Sequence, residues 1–355
     1  MTVWDWINDF DAEAHARGDQ QRLRLSNFHR QAWDFRHTDP SRMLGLLDEG
    51  RRLAGSLGEP WWVHFFDHWR VESRIYYTDD YRDLIDLAAQ VTFEVRKPIH
   101  EHHPLRFAVF CNLIAAYLCV DPRGYADAIR DALDYLREIA PEGEDRYLLI
   151  ARRHWFAWEL GEVDTARRLA LEELALADSD PDRHTAQHHE VDTCKSLCRI
   201  CHRQGDWRAL EEFARAGEER ARQLEYRYEL ALLLLWRAVC ARHDGREEEG
   251  RRLCRQGVGR MARLGKAPDD SYFDSLAAFH ELGGQFEEAL HVRDRELAEC
   301  INKGQVAYEV ECRLKRCKLL RRMGQLHAED IAACHPAIAR LRAPDYYLAE
   351  LERDA

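Results

Sequence analysis

Along most of the chain, apolar side chains return every three or four residues. In DALDYLREIA, Leu133, Leu136 and Ile139 share one face of a 3.6-residue helix. No stretch carries the strict alternation of a half-buried strand. The helical stretches are interrupted by short polar or glycine-bearing turns: TDPSRML from 38, TDDYRDL from 78, PRGYADAI from 122, LGEVDTAR from 160, QGDWRALE from 204, DGREEEGR from 244, GGQFEEAL from 283 and MGQLHAED from 323. Gly161, Gly205, Gly245, Gly284 and Gly324 stand 44, 40, 39 and 40 residues apart. Looser breaks follow at Pro60, Pro98, Pro141, Pro181, Gly265 and Gly304. The pattern predicts an all-α chain: an N-terminal capping helix within 1–18, about eight antiparallel helix hairpins over 19–345, and a tail over 346–355. One hairpin cannot bury its own apolar face, so neighbours must stack into a single solenoid.

Three of the units, QGDWRALEEFARAGEE, LGEVDTARRLALEEL and GGQFEEALHVRDREL, place a glycine-bearing polar turn before a second helix with an early alanine. In this they resemble the tetratricopeptide repeat (TPR), with a period near forty residues instead of about thirty-four. In the first two repeats Asp stands where the turn glycine is expected. The resemblance implies a right-handed superhelix whose first helices line a concave, peptide-binding groove. It also implies a small residue in each first helix, seven positions before the turn. Those positions hold Ala32, Ala116, Cys198, Ala238, Ala277 and Cys317, with Glu72 and His154 as departures.

That register bears on CKSLCRICH, the densest cysteine stretch. Cys194-x3-Cys198-x2-Cys201 has the spacing of a radical-enzyme iron–sulfur motif, and Cys198-x2-Cys201-His202 that of covalent haem attachment. Yet the three cysteines also fall at i, i+4 and i+7, one stripe of a packed helix, and Cys198 occupies the small slot. Packing is the expected role, and a helical metalloprotein using Cys194–His202 is kept as an alternative. His184 and His188, at i and i+4, are a second place where a zinc ion could sit. His64 and His68 share that spacing but lie among aromatics in WWVHFFDHW, where a packed helix is expected.

In the family's register the groove would be aromatic in its first half, with Trp33, Trp69, Tyr76, Phe110, Tyr117, Trp155 and Trp158. It would be basic in the second, with Lys195, Arg199, His202, Arg203, Lys318, Arg321 and Arg322. Aromatics and arginines are strong anchors for a bound segment, and arginine grips carboxylates bidentately. The expected partner is a protein or peptide with acidic and apolar anchors. Lys195 and Arg199, beside the packed stripe, are expected to tolerate alanine without loss of fold.

Composition narrows the function. The 355 residues are 46% hydrophobic and 33% charged, with a net charge of −12. That balance disfavours nucleic acid as a partner. No apolar run is long enough to span a bilayer. The start, MTVWDWINDFDAE, is acidic where a secretory signal is basic, which predicts a cytoplasmic protein. Eleven cysteines over so long a chain read as reduced thiols. No phosphate loop, dinucleotide fingerprint, nucleophile elbow or zinc-protease motif occurs, and no cofactor is expected. The first reading is therefore a non-catalytic scaffold or adaptor. A regulatory sensor, binding a small ligand or signal peptide and acting on a separate effector chain, is the second.

Overall fold

The computed structural model describes residues 3–36, 38–78, 80–139, 144–180, 183–264 and 268–354, with side chains except at 144, 183–185 and 354. Among them every regular element is a helix. An N-terminal helix α1 (Val3–Arg17) precedes α2 (Gln20–Phe35) and α3 (Pro40–Leu57), which flank the first turn. The next turns are flanked by α4 (Pro60–Tyr76) and α5 (Leu84–Val95), and by α6 (Arg106–Val120) and α7 (Ala126–Glu138), with a 3-10 turn at Pro98–His100 between these pairs. Then come α8 (Glu144–Glu159) with α9 (Val163–Ser179), α10 (Arg183–Gln204) with α11 (Trp207–Gln223), α12 (Arg227–His243) with α13 (Glu247–Leu264), and α14 (Asp270–Leu282) with α15 (Phe286–Lys303). After α16 (Val306–Arg322) the chain makes two short helices, α17 (Ala328–Ala332) and α18 (His335–Ile338), where one long second helix was expected. The stretch read as a tail from 346 falls almost wholly within α19 (Asp345–Asp354), which buries Tyr347 and Leu351. The breaks expected at Pro141, Pro181 and Gly265 lie outside the described residues.

Helices pack on their sequence neighbours, and first helices of adjoining turns also touch: α4 on α6, α8 on α10, α10 on α12, α12 on α14. This repeat-like, all-helical arrangement fits an α-solenoid. Contacts group the chain into two compact units, one of Met1–Val120 with Asp127–Pro141, the other of Asp121–Ala126 with Glu142–Ala355. No helix among the described residues is long and apolar enough to cross a membrane.

The turns work as their residues require. All five periodic glycines have positive φ, between 69° and 78°. Gly205 shows why. Its N–H and that of Asp206 reach back to the carbonyls of His202 and Cys201 at 3.1 and 2.9 Å, a left-handed C-cap that a β-carbon would strain. Asp206 then caps α11 by accepting from Ala209 N at 3.2 Å, and it receives Arg167 of α9 at 2.7 Å. One Gly-Asp pair thus ends a helix, starts the next and ties both to the preceding repeat.

The small slot is real. Ala32, Ala116, Cys198, Ala238, Ala277 and Cys317 are all buried, none more than 2% exposed. Where the slot is not small, polar partners fill it. His154 Nδ1 lies 3.1 Å from the buried carboxylate of Glu173, and Glu72 meets His68 at 3.2 Å. Cys194, Cys198 and Cys201 are buried as well. Cys194 sits against Gly217 of α11, where a β-carbon would come within 2.8 Å of its own Cβ. Burial pushes the thiols of Cys194 and Cys201 up, to about 12 and about 11, so they stay protonated within the helix packing. His64 and His68 are buried too, as the aromatic surroundings predicted.

Cys198→Ala is expected to be nearly silent, since alanine fills the equivalent slot elsewhere. Cys198→Leu is expected to cost about 1–3 kcal/mol by overpacking. Denaturant melts of both variants check this, and the reverse order would show the slot to be misplaced.

Candidate functional site

The second unit gathers charged and aromatic side chains from several first helices into one place. Arg199 of α10 is its hub. Its guanidinium pairs with Asp270 at 2.7 Å and Asp274 at 3.4 Å, both on α14, and lies 4.9 Å from the Trp158 ring of α8. Arg203, one turn further along α10, lies 5.2 Å from the same ring. Asp274 also takes Arg293 of α15 and Lys315 of α16, each at 2.8 Å. Glu296 of α15 completes this part, 2.6 Å from Arg293 and 3.5 Å from Lys315.

The other edge is a carboxylate lodged against aromatics. Glu159 of α8 is buried and accepts from Trp155 Nε1 at 3.0 Å and from the Tyr308 hydroxyl of α16 at 2.8 Å. Glu159 and Tyr308 are 149 residues apart. In a stack of strictly neighbouring contacts they would not meet, so within this unit α16 returns to α8. The segment before α7 takes part in the same return. Asp121 accepts from Arg342 N at 2.8 Å, and Arg123 lies over the Tyr346 ring at 3.4 Å.

This crowding sets the protonation states. Burial first, and then the nearby Glu311 carboxylate, raise Glu159 to about 8, against the pull of Arg199. Glu311 is raised as well, chiefly by burial. Asp274 is held well below its ordinary value, because Lys315, Arg293 and Arg199 outweigh its burial. The cations respond in the opposite sense: Arg199, Arg293 and Lys315 are all raised by the carboxylates, despite burial. Neighbouring Lys195 is raised by Asp192, 3.4 Å away, and by Asp269. The site is nonetheless open enough to be reached: Arg199 and Asp274 are 17% exposed, Asp270 25% and Lys315 31%.

Of the residues singled out in the sequence, the structure brings Trp155, Trp158, Arg199 and Arg203 together here, with Lys195 alongside on α10. His202 instead packs between Trp207 and Trp236, at ring distances of 5.5 and 5.3 Å. Lys318 and Arg321 turn toward α19, meeting Glu350 at 3.6 Å and the Arg353 carbonyl at 3.2 Å. Arg322 pairs with Glu281 and lies 5.0 Å from the Phe286 ring. In the first unit Trp33, 36% exposed, stands edge-on to Trp69 at 5.2 Å and to Tyr77 at 6.2 Å, beneath the Arg36 guanidinium. Tyr76 and Tyr117 are half-buried. Phe110 is fully buried against Tyr135 at 4.3 Å, so it is a core side chain and offers no surface to a partner.

The expectation of an acidic partner rested on free cations. Lys195, Arg199, Lys318 and Arg322 each already hold a carboxylate, and around Arg199 the acids outnumber the bases. Sequence reading missed those acids, although Asp274 stands three residues before its slot alanine as Lys195 stands three before Cys198. Among the described residues, no group of three or more His, Cys, Asp or Glu is arranged to hold a metal ion. Compared with models of known protein families and with curated proteins, the chain matches none.

Proposed function

We propose that the chain is a TPR-like scaffold, a right-handed superhelix that binds a segment of another protein without catalysis. The observation that carries this reading is the convergence of α8, α10, α14 and α16 on one half-open cluster of tryptophans and charges. Such a patch supplies aromatic anchors and fixed hydrogen-bonding groups to an extended chain. The surplus of carboxylates selects a segment bearing lysine or arginine beside an apolar anchor. Its cation would take the place of the proton on Glu159 and relieve the repulsion from Glu311.

Panning a phage-displayed library of short random peptides against the purified protein tests the reading. Enrichment of sequences that pair a basic with an aromatic or aliphatic residue is expected. Their binding should weaken with salt and fall in a Glu311→Gln variant. Enrichment of acidic sequences, or binding unchanged in Glu311→Gln, would overturn it.

A further inference from the structure

The first unit holds a half-open cavity of about 540 Å³ that involves none of the expected groove residues. Its walls come from α3, α4, α5 and the 3-10 turn at Pro98–His100. Val63 of α4, with Leu87 and Val91 of α5, supplies apolar surface. Val63 and Leu87 are only half-buried, so helix packing leaves part of their apolar surface uncovered at the cavity. An apolar wall with a few polar groups, at this volume, has the character of a small-molecule site.

The charged side chains on the wall are sorted by end. At one end Arg51 of α3 and Arg70 of α4 converge on Asp67, at 2.6 and 2.9 Å. Arg70 also holds Asp48, outside the cavity, at 2.7 Å. Arg51 reaches Asp67 through its Nε, which leaves both Nη groups for another acceptor, and its side chain is 39% exposed. The other end is acidic. Glu59 stands at the start of α4. Glu94 lies near it, since its charge acts on His100, whose ring is 4.9 Å from that of His64 early in α4. Glu59 pairs with Arg22 and Glu94 with Lys97 at 2.6 Å, but neither cation belongs to the wall. The Glu94–Lys97 pair is exposed and local, of the kind worth little and readily exchanged. From Pro60 to Asp67, α4 rises roughly 10 Å.

We propose that this cavity binds a free peptide of about three residues with an apolar middle, its carboxylate on Arg51 and its ammonium at Glu59 and Glu94. An extended chain rises at most about 3.3–3.6 Å per residue, so three residues span the roughly 10 Å between the two ends. A guanidinium grips a carboxylate with two hydrogen bonds. Capture of both termini separates such a peptide from a segment of a longer chain. The site is distinct from the segment-binding cluster and stands or falls without it.

The measurement is saturation-transfer NMR, titrating the tripeptide Ala-Leu-Ala into the purified protein. A Kd of about 1 mM or below is expected. The acetylated and the amidated tripeptide each lose one charged end and should bind about tenfold more weakly. Ala-Ala-Leu-Ala-Ala, whose ends stand about 17 Å apart when extended, should also bind about tenfold more weakly. Arg51→Met keeps the stem and removes the guanidinium. In it the free tripeptide should lose about tenfold and the amide less than about twofold, a coupling that general damage to the fold would not produce. Glu94→Gln should cost the free tripeptide about fivefold and spare the acetylated one. Should either variant fail to fold, the free, capped and longer peptides on the parent protein decide alone. No binding of Ala-Leu-Ala, or equal binding of the capped or longer peptides, would overturn the proposal. So would a folded variant that binds the free tripeptide undiminished, or that weakens free and capped forms alike.

Discussion

Arg199→Ala is expected to destabilise the second unit by about 2–4 kcal/mol, less than for a fully buried pair because water reaches part of the site. The side chain pairs with Asp270 and Asp274 and covers the Trp158 ring. Without it, those carboxylates face Glu159 and Glu311 with one cation fewer. The alanine tolerance expected of an exposed helix face does not apply to it. Lys195, whose partner Asp192 lies one turn away on its own helix, remains the position where alanine is expected to be mild. Hydrogen exchange on peptides from α10 and α14, together with urea melts, measures the loss. Neutralising Asp270 in the same chain, as Arg199→Ala with Asp270→Asn, should recover about 1 kcal/mol, because the stranded charge goes with its partner. A single variant within about 0.5 kcal/mol of the parent would show the cluster to be energetically idle.

Glu159→Gln is expected to stabilise the protein at alkaline pH and do little at acid pH. The folded-state value of Glu159, about 8, lies above the ordinary 4.5. Below 4.5 both folded and unfolded chains hold the proton and no difference arises. Between 4.5 and 8 the folded chain keeps a proton that the unfolded chain releases, so stability falls as pH rises. Above 8 the folded carboxylate is charged, and the full penalty is in place. Glutamine removes the charge but keeps an oxygen to accept from Trp155 and Tyr308. The gain at pH 9 should be about 1–3 kcal/mol, with almost none at pH 4.5. Melting temperatures of parent and variant across that range check it. A constant offset, or a loss at pH 9, would mean that Glu159 is ionised throughout.

The turn glycines and the small slot were legible because each is a local demand. A left-handed cap needs glycine at Gly205, and a close helix crossing needs a small side chain at Cys198; both needs recur in most of the repeats. The aromatic and basic positions were only half legible. Register places Phe110, Trp158, Lys195 and Arg199 on first helices, but a residue's height on a helix does not say what lies opposite. Phe110 meets Tyr135 and is core, whereas Trp158 meets two arginines at a half-open surface. His64 was legible as helix packing and no further, since its unpartnered nitrogen becomes visible only once every neighbouring donor and acceptor is placed.

The residues alone made the chain helical, placed its turns, marked the first-helix positions that must be small, and gave packing as the expected role of its clustered cysteines. These follow from periodicity, cap chemistry and side-chain volume, which act over a few residues. Packing across the fold, by contrast, brings α16 back to α8 and places carboxylates on cations expected to await a partner: Asp270 and Asp274 on Arg199, Glu350 on Lys318 and Glu281 on Arg322. Those facts depend on which side chains meet across intervals as long as the 149 residues between Glu159 and Tyr308. Charge pairing and cavity shape are properties of such meetings, and no local pattern encodes them.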